Sequence, residues 1–412
     1  MTQQNSPNTS NGLWRWFLQV TYAFRHEWTV IFSDIGVMLF FIVLPLAYPI
    51  AYTLIYNPEI VTDLPVAVVD NCRTSSSRRL VQELDAAPSF KVYDYCTDMA
   101  EAKDLFGSNE VAGILLIPSD YEKRMLTGRT AHATFYAETS LLLRYRALLS
   151  TLTDVQLLET TRHASEMMGR TGLSLAGMEG LPVNSRNHFL GDQGQGFASF
   201  IMPGIIILIL QQSMMLGICF IGGTSRERRR RFRGYDPEML DELHPTANVI
   251  GKSLCYTIFY IPVTLYVAHW VPEMFSLPHL GSPVDYLLFL FPMLLATAML
   301  GQTVQLICTE RESAFLVVVF SSVLFLFLSG LTWPRYAMSD TWRWVGNLVP
   351  ATWGVEGFIR INSNGATLAE SSRPFIAMWI QTGVYFLTAW GVTAWLRHEG
   401  HRLARAAAPI KP

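Results

Sequence analysis

FASFIMPGIIILILQQSMMLGICFIGG (197–223) followed by TSRERRRRFRGYDPEMLDELHPTANVIGK (224–252) decides how this chain is built. The first part is an apolar run long enough to cross a bilayer as a helix, which takes about 20 residues. The second part carries Arg226, Arg228, Arg229, Arg230, Arg231 and Arg233, and the chain turns apolar again near Val249. Basic residues crowded within about 15 residues of a membrane end stay on the cytoplasmic side. The arginine cluster therefore orients the whole protein.

Across the chain, half of the 412 residues are hydrophobic and only 16% are charged, against roughly a quarter in a soluble domain. The formal net charge of -2 excludes nothing by itself; the placement of the charges carries the information. Further apolar runs at 35–56, 249–271, 284–308, 313–332 and 375–396 give six expected spans. With Arg15, Arg25 and His26 before the first span and Arg397, Arg402, Arg405 and Lys411 after the last, both termini are expected in the cytoplasm.

Residues 1–34 read as a polar tail followed by an interfacial helix, in which Trp14, Phe17, Thr21, Phe24, Trp28 and Ile31 recur at helical spacing. This stripe suits either lipid or packing on other spans. Pro45 and Pro49 predict a kink in the first span. Residues 57–196 form the large polar region and alternate strand runs (64–69, 90–95, 111–117, 131–137) with helical stretches. That alternation predicts an inserted α/β domain on the extracytoplasmic side, closed by a long helix over 141–168. The fold class is thus an α-helical polytopic membrane protein with six transmembrane helices and an inserted extracytoplasmic α/β domain. Its spans two to six occupy 197–396, and a tail covers 397–412.

Cys72 and Cys96 follow the first two strand runs, and a disulfide between them is left open, because spacing alone cannot supply the Cα separation. The loop 333–374 is rich in Trp yet broken by Pro334, Gly346, Pro350 and Gly354, which suits short interfacial or re-entrant helices or a plain aromatic belt.

Catalytic motifs fail on inspection. Gly251-Lys252-Ser253 imitates the end of a phosphate-binding loop, but Thr246 stands where that loop needs glycine. Lys252 is read instead as a lysine snorkelling from a span end. His398 and His401 lack zinc-site spacing, so no metal site and no catalytic residue are assigned. The span middles offer only Gln211, Gln212, Ser213, Gln302, Thr303 and Gln305 as polar groups. Of these, Gln211, Gln212, Ser213, Gln302 and Gln305 either line a translocation path or bond helix to helix. No ionisable residue sits mid-span to drive a carrier, so any transport energy has to come from a partner. The segment 224–248 is the handle for one: Asp236 and Pro237 open a short helix that Pro245 stops, with Met239, Leu240 and Leu243 on one face. The alternative is a solvated loop whose arginines meet anionic headgroups.

The phrases Arg25-His26-Glu27-Trp28 through Asp34 and Pro45, Leu64-Pro65-Val66-Ala67-Val68-Val69-Asp70, and Val111-Ala112-Gly113-Ile114-Leu115-Leu116-Ile117-Pro118 carry a resemblance. With 245–252 and 329–353, the chain resembles the permease subunit of type-2 ATP-binding-cassette exporters, the drug-efflux branch with a large extracytoplasmic domain between the first two spans. Where the family often continues into a Gly-Thr-Leu/Met-Glu phrase, Arg233-Gly234-Tyr235-Asp236-Pro237-Glu238 stands here. The resemblance implies a dimer of permeases in the bacterial inner membrane, identical or paired with a close relative. It also implies cytoplasmic ATPase subunits that bind ATP and Mg, contacts to membrane lipid, a periplasmic adaptor, and no nucleic acid. ATPase coupling would fall on Arg226, Arg228, Arg233, Tyr235, Glu238, Leu240, Asp241 and Glu242. The cargo would be a drug-like, lipid-like or other amphipathic molecule, and the chain itself would hold no cofactor and hydrolyse nothing. The competing reading is a membrane-anchored receptor or scaffold whose α/β domain binds a ligand or protein partner without transport.

Overall fold

The computed structural model describes residues 9–56, 60–127, 129–170, 196–231 and 243–407. The chain divides into two compact units, one made of Met1–Asn57 with Phe189–Pro412 and the other of Pro58–His188.

Among the described residues of the first unit, six helices are long and apolar enough to cross a membrane: Ile35–Tyr56, Phe197–Arg228, Pro245–Met274, Pro283–Val304, Arg311–Leu328 and Ser372–Glu399. The second of these sits innermost. Met202, Ile206, Leu210, Met214, Ile218 and Ile221 are buried along its length. The core around it is aromatic, with the ring of Phe41 from the first span 5.6 Å from Tyr256 and 5.5 Å from Tyr260 of the third. Gly217 makes this approach possible, since a Cβ there would lie 1.9 Å from the Phe41 ring.

The first and third spans share a local device. Each contains one π-helical segment, Leu39–Val43 and Tyr266–Trp270, and each segment ends two residues before a proline, Pro45 and Pro272. A proline lacks the N–H for the i−4 carbonyl and its ring collides with that carbonyl, and one wide turn ahead of it relieves the conflict. The kink expected at Pro45 is thus a π segment.

The Trp-rich stretch 333–374 folds as short helices, Asp340–Gly346 and Pro350–Asn364. Trp342 and Trp344 are exposed, whereas Val355, Phe358 and Ile361 of the second helix are buried in the bundle. Gln211, itself buried, accepts a 2.6 Å hydrogen bond from the backbone N–H of Ala351 and so satisfies one of the free donors at that helix's start. Arg335 holds the other side, with Nη1 2.6 Å from Glu356 Oε2 and its guanidinium 4.7 Å from the centre of the Trp353 ring.

The second unit carries a four-stranded sheet in the order β2-β1-β3-β4, where β1 is Leu64–Asp70, β2 Phe90–Tyr95, β3 Gly113–Ile117 and β4 Thr134–Ala137. β1 lies parallel to β2 and β3, and β4 is antiparallel to β3. Val66 and Val68 pack with Leu84 and Leu148 on one face, while Ala67 and Val69 pack with Ala102 and Val111 on the other. A strand covered on both faces needs an unbroken apolar run, which is what 64–69 supplies. Cys72 and Cys96 are both free thiols. The Cys96 N–H donates to Val68 O at 2.9 Å, beside the end of β1, whereas Cys72 lies beyond that strand with Sγ 3.3 Å from Thr74 Oγ1.

Replacing Gln211 with leucine keeps the bulk and removes the acceptor for Ala351, so the variant in detergent should be less stable by about 1–3 kcal/mol. Thermal unfolding followed by size-exclusion chromatography reads this as a lowered midpoint.

Candidate functional site

The densest polar network in the first unit lies at the arginine-bearing end of the bundle. The amino-terminal helix Thr9–Ser33 packs along the start of the third span, and its inward stripe is Val20, Ala23, Glu27 and Ile31, all buried. Trp14 and Phe17 face outward and are exposed. The rest of the stripe packs: Phe24 lies against the bundle core, the Trp28 ring is 5.8 Å from Phe259 of the third span, and Ile31 is buried.

Glu27 is fully buried among these apolar neighbours. A carboxylate there needs a cation and further hydrogen bonds. Lys252 Nζ lies 2.5 Å from Glu27 Oε1, and Tyr256 donates its hydroxyl to Glu27 Oε2 at 2.6 Å. Burial alone would raise the Glu27 pKa, but the Lys252 ammonium, with hydrogen bonds from His26, Lys252 and Tyr256, outweighs it and holds the group down at about 2. Lys252 is thus an ion-pair partner and not a snorkelling lysine: a counter-charge one helix away holds it more strongly than the headgroup layer.

The look-alike triplet is explained at the same place. A Cβ on Gly251 would sit 2.6 Å from the carbonyl oxygen of Val20, so glycine lets the two backbones touch. Ser253 Oγ accepts from Gln302 Nε2 at 2.7 Å. One turn of helix thereby joins the third span to the amino-terminal helix and to the fourth span. Trp16 Nε1 donates to Thr246 Oγ1 at 3.0 Å, and His244 N–H to Gln19 Oε1 at 3.0 Å, which extend the seam.

A second knot joins the first, second and fifth spans. Asp34 Oδ1 accepts from the Gly36 N–H at 2.9 Å, starting the first span, while its other oxygen pairs with Arg311. The Arg311 N–H bonds Glu227 Oε1 at 3.0 Å, and its guanidinium lies 4.6 Å from the Phe220 ring centre. Arg226 Nη1 donates to Leu306 O at 2.6 Å, across the turn after the fourth span, and Arg228 is half-buried nearby in sequence.

Of the sequence candidates, Arg226, Gln302 and Gln305 line one small cavity with Asn248, Lys252 and Arg397. Gln211, Gln212 and Ser213 lie farther along the second span, where Gln212 Nε2 bonds Val318 O and Ser213 Oγ accepts from Tyr260 at 3.0 Å. Arg233, Tyr235, Glu238, Leu240, Asp241 and Glu242 fall outside the described residues. Glu27, Asp34, Tyr256 and Arg311 are structural members to which sequence reasoning assigns no contact, Glu27 and Asp34 entering it only within the phrase that carries the resemblance. A lone acid at helical spacing between Ala23 and Ile31, opposite the exposed aromatics, is the signal that points to Glu27.

The seam binds the amino-terminal helix and the ends of five spans around a basic cluster. The family model described as ABC-2 family transporter protein matches residues 35–390. The chain belongs to the ABC-2 transporter family. No curated protein matches it. Permeases of the ABC-2 family are the membrane components of ABC transporters and generally work with ATPases carried on separate subunits. In this ABC-2 permease the match runs from the first span into the sixth, and so includes Lys252 and Arg311, while their partners Glu27 and Asp34 lie before it.

Removing one partner of the buried pair leaves the other charge unpaired, a loss of about 3–5 kcal/mol. Glu27→Ala and Lys252→Met are each expected to lower the thermal midpoint sharply. The double variant should recover part of the loss in a double-mutant cycle.

The pH dependence has a fixed sign. The Glu27 pKa is depressed in the folded state, so its contribution is complete above the unfolded value of 4.5 and is lost as pH falls from there toward about 2. The stability difference between wild type and Glu27→Gln should be flat from neutral pH down to about 5 and shrink below it.

Proposed function

We propose that this chain is the permease subunit of an ATP-driven exporter that moves a drug-like, lipid-like or other amphipathic cargo out of the cytoplasm or inner leaflet. The observation that carries the reading is the seam at the arginine-bearing end, where Glu27, Lys252, Tyr256, Asp34 and Arg311 tie the amino-terminal helix to the span ends. A push delivered there reaches several spans at once, because the ties are charge-assisted and short.

In this reading the arginine-bearing end faces the cytoplasm, both termini lie on that side, and residues 58–188 face the periplasm of a bacterial inner membrane. Two permease copies, or one copy and a close relative, bind two cytoplasmic ATPase subunits. The segment 224–248, with Arg226, Arg228, Arg233, Tyr235, Glu238, Leu240, Asp241 and Glu242, receives the ATPase. ATP and Mg are bound by that partner. Gln302 and Gln305 line the small cavity beside Arg226 and supply polar groups to a path, of which Gln211, Gln212 and Ser213, bonded to neighbouring helices, are the further candidates. The Pro58–His188 unit passes cargo to, or docks, a periplasmic adaptor.

The reading is tested by purifying the tagged full-length protein from its native membranes in mild detergent and assaying the eluate for ATP hydrolysis. Wild type is expected to carry ATPase activity. A variant with Glu238, Asp241 and Glu242 changed to alanine should lose at least about tenfold of it, the equivalent of one lost charged contact. Wild-type eluate from native membranes without hydrolysis overturns the proposal.

A further inference from the structure

The Pro58–His188 unit carries an open cleft of about 610 Å³. Leu115 and Phe135 of the sheet form its floor, and Leu84, Met125, Leu149 and Leu152 its walls. That volume lies in the range of about 300–1,000 Å³ typical of ligand pockets.

The cavity is polarised along its length. One wall is a single face of the helix Leu142–Arg170, which passes from Leu149 and Leu152 through Gln156 to Thr160 and His163. At 1.5 Å per residue, Leu149 and His163 are separated by roughly 20 Å along the axis. His163 Nε2 donates to the carbonyl of Met125 at 3.0 Å, which draws the chain after Met125 to the polar end. That chain brings Arg129 and His132 to the lining.

The unengaged charge there is positive. Glu159, the only acid in the lining among the described residues, is already engaged, with Oε2 3.2 Å from Arg79 and Oε1 2.9 Å from Arg162. Arg129 is exposed, and among the described residues no ion pair engages it. The sequence presents His132 and His163 as scattered surface histidines; the fold gathers both at one end of one slot.

We infer that this cleft binds a single-chain amphiphile, its apolar chain against Leu149 and Leu152 and its anionic head, a carboxylate or a phosphate, at Arg129 beside His132. The site stands independently of whether the chain exports anything.

Photolabelling of the full-length protein in lipid nanodiscs tests it. Four probes carry a diazirine at the chain end: hexadecanoate, hexadecyl phosphate, hexadecanol and hexadecylamine. One or both anionic probes should label peptides containing Leu149–Leu152 about tenfold more than the alcohol or the amine, the worth of one charge-assisted contact. Unlabelled alkanoates should compete, each methylene removed weakening them by about fourfold. Arg129→Glu, at an exposed position that leaves the core untouched, should cut anionic labelling by about tenfold, and Leu152→Trp should block it by filling the slot. Labelling confined to the membrane spans, or equal labelling by all four probes with Arg129→Glu unchanged, overturns the inference.

Discussion

A carboxylate with no access to water is tolerated only beside a cation, and Glu27 meets that condition in one geometry, with Lys252 on one oxygen and Tyr256 on the other. The pair fixes the rotation and depth of the amino-terminal helix against the third span, and Gly251 fixes the distance by letting the backbones touch. Asp34 follows the same helix directly, so placing that helix also places the start of the first span and its Arg311 partner. Lipid tails give no hydrophobic drive for helices to associate. Directional polar contacts at this end do the selecting.

The other end of the bundle is held differently. Arg335, Glu356, Trp353 and Gln211 hold the Pro350–Asn364 helix among the spans, and glycines at 354 and 357 let Met293 and Phe289 come within reach of its backbone. Between the two ends the contacts are almost wholly apolar, with Phe41 packed on Tyr256, Phe259 and Tyr260. A bundle with polar ties at both ends and a greasy middle can rock as packed helices do, since dispersion contacts slide at lower cost than ion pairs break.

Much of this was legible in the sequence where a single segment carries its own signal. The six spans announce themselves by length and apolarity, and β1 and β3 by unbroken apolar runs that need cover on both faces. The Trp-rich stretch resolves into short helices because its prolines and glycines forbid a long one. What is hidden is every contact that joins distant parts of the chain. Glu27 looks like an ordinary surface acid and Lys252 like a snorkelling lysine until they meet. The gathering of His132 and His163 likewise depends on one helix crossing one strand edge, which no local pattern encodes. Arg233 to Glu242 lie outside the described residues, and the roles proposed for them rest on chemistry read from the chain.

The separation between Glu27 and its partners also sets an order in time. Tyr256 lies 229 residues downstream of Glu27, and at about 5–20 residues per second the ribosome needs roughly 10–45 s to bridge that interval. During that delay the first span has inserted while its amino-terminal helix still lacks the cation that admits it to the bundle. Until the third span is made, the helix lacks the Lys252 cation that neutralises Glu27 in the finished bundle, so the amino-terminal part of this protein is synthesised well before the partner it packs on. A chain truncated before Lys252 keeps an unneutralised acid on its packing face, a mark by which an unfinished product differs from a finished one.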